Sequence, residues 1–363
     1  MPKRASLPGL VICTMVMSSA AAGGTASTWH SVQTEPYPKK RDDIVFIDRR
    51  IGFYGTGKGR LFRTDDGGHS WQLAWEHAGT FIRSLGFIDS QRGFLGNLGL
   101  GLGATTDPVP LYRTTDGGMT WQPAVSDAIQ MAGVCAIDIV KAHAIVEGEV
   151  RERVIVLAAG RANGPAKMLR SEDGGESWRL IDLSDRAGMI LDVKFLDPDV
   201  GFVFAGTNSD VALSHALILG TRDGGLTWRE VYRSSRSHEI IWKASFPSAQ
   251  TAYATLQSED ESNVQQRLLK STDGGNHWLE LPLVRNSAAQ EFGIGFVDAR
   301  HGWIGTAAGG FETTDGGKVW RSSELAPKAN KIRTHAADNS PMVYAIGSEV
   351  QLYSSGDSGG GAP

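Results

Sequence analysis

Arg63-Thr64-Asp65-Asp66-Gly67-Gly68-His69-Ser70-Trp71 decides the fold, because the same nine-residue phrase returns along the chain. It recurs around Asp116-Gly117-Gly118 with Trp121, Asp173-Gly174-Gly175 with Trp178, and Asp223-Gly224-Gly225 with Trp228. Two more copies hold Asp273 with Trp278 and Asp315 with Trp320. Asp followed by Gly-Gly is a hairpin signal, in which glycine supplies the positive φ angles. The carboxylate can accept backbone N–H groups inside the turn. The Trp five residues later begins the next strand and can wedge between neighbouring sheets. Successive tryptophans lie 50, 57, 50, 50 and 42 residues apart. A repeat of that period marks a propeller or a solenoid.

A second pattern precedes the turn in most units. Phe46-Ile47-Asp48 leads to Gly52-Phe53, Phe87-Ile88-Asp89 to Gly93-Phe94, Phe195-Leu196-Asp197 to Gly201-Phe202, and Phe296-Val297-Asp298 to Gly302-Trp303. It reads as strand, polar turn, strand; a third strand and the Asp-Gly-Gly hairpin complete four strands, one propeller blade. The termini divide a seventh unit between them. Ser355-Gly356-Asp357-Ser358-Gly359 starts a box without a Trp, whereas Ser27-Thr28-Trp29 finishes one without an Asp. The expected fold is therefore all-β: one seven-bladed β-propeller over 27–358, its last blade closed by an N-terminal strand around Trp29 to Gln33. Residues 359–363 are expected to form a flexible tail.

Lys3 and Arg4, the apolar run Leu10–Met17 and Ala20-Ala21-Ala22 read as a secretory signal peptide over 1–22. Cys13 follows Ile12 inside the apolar run, where lipidation wants a small residue, so cleavage rather than lipid anchoring is expected. Cys135, in Gly133-Val134-Cys135-Ala136-Ile137, then remains as a buried strand residue, and no intramolecular disulfide can form. The formal charge of -4 and the lack of a Lys/Arg block give no reason to expect nucleic acid. Export to the periplasm and a monomeric state are expected.

Several phrases imitate catalytic motifs. Gly356-Asp357-Ser358-Gly359-Gly360 matches a serine-protease nucleophile, but three residues follow it and the repeat already accounts for its Asp and glycines. Gly52 to Gly57-Lys58 approaches a phosphate loop, yet Gly59 stands where magnesium needs a hydroxyl, so a link between strands is expected. Gly99, Gly101 and Gly103 lack the strand-to-helix setting of a dinucleotide turn. The nine histidines form no close ligand pair, and no Asp-rich turn continues to the glutamate of a calcium loop. No cofactor, metal or catalytic residue is assigned.

The repeated phrase resembles the Asp-box, or bacterial neuraminidase repeat. From about Trp29 onward, the boxes and the Phe-x-Asp-x-x-x-Gly-Phe/Trp pattern look like the photosystem II stability/assembly factor family. That resemblance implies an exported, non-enzymatic scaffold docking onto membrane-protein assembly intermediates, lumenal if the host photosynthesises. It assigns Asp66, Asp116, Asp173, Asp223, Asp273, Asp315 and Asp357 to turn structure. It also implies docking by arginines. Arg63, Arg113, Arg170 and Lys270 share the position three before the box Asp, interrupted by Gly220 and Glu312; solvated strand residues would fit there equally. The competing class is a glycoside hydrolase, since sialidases carry Asp boxes too. However, Phe81-Ile82-Arg83-Ser84 does not match the Phe/Tyr-Arg-Ile-Pro motif of their first arginine.

A second candidate set comes from aligning the units on Phe46, Phe87, Phe195, Phe246 and Phe296. It places Asp43, Arg83, Asp192, Lys243 and Glu291 just ahead of the inner strands, near a central channel. Ordinary solvation of strand ends is the alternative. If the channel binds a partner, replacing Arg83 and Lys243 by Ala should weaken capture without lowering thermal stability.

Overall fold

A computed structural model describes residues 28–354 apart from 40, 127, 147 and 336–340. The expected signal peptide, the box at Asp357 and the tail lie outside the described residues. Within them the chain is all-β, with one 3-10 turn at Val211–Leu213, and no helix is long and apolar enough to cross a membrane. Seven antiparallel sheets follow one another, propeller-like.

The first sheet shows the rule: Asp43–Phe46 is innermost, then Gly52–Gly55, Arg60–Thr64 and Gln72–Glu76. Gly52 has no room for a side chain, since a Cβ there would lie 2.6 Å from the Phe46 ring. The seventh sheet joins the chain's ends. Its strands Lys331–His335, Met342–Ile346 and Val350–Ser354 are completed by Thr28–Val32, in the register Trp29↔Tyr353. That is the strand exchange expected from the divided seventh unit. Trp29 is buried against Trp303 with ring centroids 5.6 Å apart.

Two sheets depart from the rule. In the third, the first two strands lengthen to Ala136–Val146 and Glu149–Gly160 and run as a continuous ribbon. In the fifth, the innermost strand breaks into Glu239–Ile240 and Ala244–Ser245, both paired with Ala252–Ser258.

The boxes are turn chemistry, as their residues suggest. Asp116 Oδ1 accepts the Met119 and Thr120 N–H groups and the Thr114 hydroxyl, and Oδ2 accepts the Thr120 hydroxyl at 2.5 Å. The Thr120 hydroxyl leads these bonds in lowering the carboxyl to about 2. Both glycines have positive φ, and the Trp121 indole N–H donates to the Gly118 carbonyl. The other described boxes keep the Oδ1 bonds to the N–H four residues on and to the hydroxyl two residues before, but His277 Nδ1 replaces the second hydroxyl at Asp273, and at Asp315 Val319 offers none and the Trp320 indole N–H has no hydrogen-bond partner among the described residues. In each described box the Trp meets an aromatic ring edge-on, as Trp178 does Phe94 with centroids 5.6 Å apart. Gly57-Lys58 links two strands of the first sheet, and Cys135 is buried, as the sequence implies.

Candidate functional site

The innermost strand of each sheet is an edge, so some of its N–H groups have no strand to pair with. Buried N–H groups need acceptors, and side chains of the preceding sheet supply them. Asp43 Oδ2 accepts the Leu85 N–H at 2.9 Å, and Asp192 Oδ2 accepts the Ala244 N–H at 3.1 Å. Asp138 accepts the Phe195 N–H at 2.7 Å, and the Ser245 hydroxyl accepts that of Phe296 at 3.0 Å. Glu291 works backwards, accepting the Leu256 N–H of the fifth sheet at 2.7 Å, where that sheet's inner strand is broken.

Cations then neutralise these carboxylates. Arg333 grips both oxygens of Asp43, at 3.0 and 2.8 Å, joining the seventh sheet to the first. Arg83 lies 3.2 Å from Asp42. The Lys243 ammonium donates to the Leu191 carbonyl at 2.9 Å and lies 3.6 Å from Asp192. Burial pushes the Lys243 amine down to about 7 against the pull of Asp192. Burial would also raise the Asp43 and Asp192 carboxyls, but the Arg333 and Lys243 charges outweigh it and hold both low. Glu291 has no such cation, and burial, reinforced by the Glu239 charge, keeps its carboxyl well above the usual range.

The break in the fifth sheet turns Trp242 towards the middle. Its indole N–H donates to Asn330 Oδ1 at 3.0 Å, and the Arg83 guanidinium lies 5.0 Å from its ring centroid. Side chains of the second sheet, of the break in the fifth and of the residue preceding the seventh sheet's Lys331–His335 strand thus meet.

These positions correct the expectation for the central set. Asp43, Arg83, Asp192 and Glu291 lie within inner strands, and Lys243 lies at the strand break. All five are buried, at 7% exposure or less, so strand-end solvation does not describe them. Four of them, Asp43, Arg83, Asp192 and Lys243, belong to one charged cluster; Glu291 stands apart. The cluster also contains Asp42, Lys331 and Arg333, which the sequence reading did not select. The alignment marker is a Phe before an Asp turn, and the seventh sheet has none ahead of Met342–Ile346, so its cations carried no signal.

The box-associated cations are brought to one kind of place, the seam with the following sheet. Arg63 donates to the Gly117 carbonyl at 2.9 Å, Arg113 to Glu176 at 3.0 Å, Arg170 to the Pro198 carbonyl at 2.8 Å and Lys270 to the Gly316 carbonyl at 2.8 Å. Where Gly220 interrupts the series, Arg229 reaches Asn276 of the next box at 2.7 Å. Glu312 instead binds His301 of its own sheet at 2.7 Å. Arg170 is buried, whereas the Arg63 and Arg113 side chains remain 27% and 30% exposed. Among the described residues, no three His, Cys, Asp or Glu side chains gather as they would around a metal ion.

The BNR/Asp-box repeat family matches residues 112–123. The photosystem II assembly lipoprotein Ycf48 of Synechococcus sp. (strain CC9902) is 26% identical over 183 residues. That match spans half of this chain and half of the relative's length. The chain resembles the Ycf48 family of Asp-box propellers. A structure of YCF48 bound to D1 peptide superposes with a TM-score of 0.64 at 16% identity, covering 91% of this chain and 94% of that one. An ancestral GH74 enzyme superposes with a TM-score of 0.65 at 12% identity, covering 91% of this chain but 46% of the enzyme. At such identities the solved structures share a fold with this chain. Ycf48-like and hydrolytic proteins alike are built on it.

Proposed function

We propose that this chain is an exported, non-enzymatic docking scaffold, a seven-bladed ring that holds a protein partner from a membrane-protein complex or its assembly intermediate. The observation that carries this proposal is the likeness to Ycf48, in sequence over half the chain and in fold over nearly all of it. The D1 peptide bound by the solved relative supplies the kind of partner, a segment of another protein. Ring closure is supported by contacts between the ends: Arg333 on Asp43, the Arg41 N–H on the Gly347 carbonyl at 2.8 Å, and Phe46 stacked on Tyr344 at 3.7 Å. The central ionisable groups are engaged in stapling strands, so docking falls to the rim. There Arg63 and Arg113, on adjacent sheets, keep part of their guanidinium surface open to a carboxylate or carbonyl.

The hydrolase reading rests on the GH74 superposition, in which this chain covers less than half of the enzyme. Two assays separate the readings. Affinity capture from detergent-solubilised host membranes, read by mass spectrometry, should enrich a membrane-complex subunit. Sugar release from a xyloglucan and sialoside panel should stay at the buffer rate; release above it would favour the hydrolase.

A further inference from the structure

The ribbon of the third sheet has no counterpart in its neighbours. In the first sheet the inner hairpin turns at Ile47–Ile51, and the box Gly67 N–H caps the Arg50 carbonyl. In the third, Gly174 caps the Val154 carbonyl instead, and the ribbon continues past that level. Six residues, Lys141–Val146, run on paired with Glu149–Val154, an arm of roughly 20 Å at about 3.4 Å per residue. The third strand, Lys167–Ser171, pairs only with Val156–Gly160, so among the described residues the outer edge of Glu149–Arg153 has no strand beside it. A cleft of about 600 Å³ opens along that edge, lined in part by Arg92, Arg151, Arg153 and Glu172. At the tip Ile145 and Val150 face each other across the ribbon, 78% and 70% exposed. Exposed apolar pairs on a bare edge are an association surface unless something covers them.

We propose that a second copy of this chain covers it, the two arms pairing edge to edge about a two-fold axis at Val150. The register follows from the edge itself. The Val154 carbonyl points outwards to Gly174, and alternate residues share a direction, so Val150 and Glu152 present their N–H and C=O groups to the free edge. Centring on Arg151 or Glu152 would set like charges opposite one another. Centring on Val150 sets Val150 against its own copy and Glu149 against the partner's Arg151, twice. Ile145, Val150 and their copies then form one apolar row across a four-stranded sheet. Such an interface is small, so the dimer is weak and reversible. Such a dimer departs from the monomer expected from the sequence.

Sedimentation velocity over roughly a hundredfold range of concentration tests this, at the two-state limits set by mass action. Wild type should move from the monomer's coefficient towards the dimer's. Val150→Lys should stay monomeric throughout. Arg151→Glu should also stay monomeric, because it opposes Glu149 to a second carboxylate, and Glu149→Arg combined with Arg151→Glu should restore the shift. All these side chains are exposed, so unchanged thermal unfolding verifies the fold. Wild type that stays monomeric would overturn the proposal, as would dimerisation indifferent to the single charge reversal. Wild type that instead co-sediments with anionic phospholipid vesicles, lost in Val150→Lys, would assign the arm to a lipid surface and overturn it equally.

Discussion

Asp43 carries three duties on one carboxylate: it accepts the Leu85 N–H, caps its own strand at the Ile44 N–H, and neutralises Arg333. Removing it leaves the part-buried Arg333 guanidinium without its carboxylate and orphans the buried Leu85 N–H. Asp43→Ala should therefore destabilise the fold by about 2–3 kcal/mol, read from denaturant unfolding. For the same reason Arg83→Ala and Lys243→Ala should lower thermal stability, contrary to the expectation from sequence, because both side chains are buried. Glu291 behaves oppositely. Its folded carboxyl titrates above its unfolded value, so the stability it contributes is full below the unfolded pKa and lost as pH rises through the folded one. Glu291→Gln keeps an acceptor for Leu256 and discards the ionisable group whose ionisation favours unfolding. It should raise Tm by a few degrees at neutral pH, and the gain should vanish near pH 4; an equal gain at both pH values would count against that assignment.

At the scale of the element, the boxes combine backbone conformation with contact. Gly175 has φ +96°, and a Cβ there would lie 2.2 Å from the Phe94 ring, whereas Gly101 has φ +82° and open space around it. Both replacements by Ala pay the left-handed strain, about 1 kcal/mol. Gly175→Ala should cost clearly more, and comparison of the two unfolding curves isolates the contact. Such features were legible because box chemistry is local: Asp, hydroxyl, two glycines and Trp lie within nine residues. The divided seventh unit was legible for the same reason. The arm left two signs, the 57-residue interval between Trp121 and Trp178 and the missing Phe-x-Asp turn between them. Neither tells a longer loop from a longer ribbon. The central cluster was half legible. An alignment finds a charge out of place in an apolar strand, but not whether Asp43 will meet water or Arg333, which is 290 residues away.

For the whole molecule, six boxes hold their carboxyls below the usual range, to about 2 at Asp116 and Asp223, where the Thr120 and Thr227 hydroxyls lead the causes. A depressed carboxyl contributes stability that is fully present above the unfolded pKa, about 4, and is lost as pH falls through the folded value. Tm should accordingly fall steeply between about pH 4 and pH 2, and Asp116→Asn should flatten that fall. A profile without a slope in that window would mean the boxes do not hold the fold. With the central charges engaged in stapling strands and the boxes in holding turns, the proposed docking falls to the rim. The most direct measurement is quantitative capture of membrane-complex subunits by wild type and by the Arg63→Glu, Arg113→Glu double variant, from the same solubilised membranes. A subunit enriched by wild type and lost with the double variant, at a Tm that shows the variant is folded, is the predicted result. No enriched membrane subunit, or enrichment unchanged by the charge reversal, would contradict it.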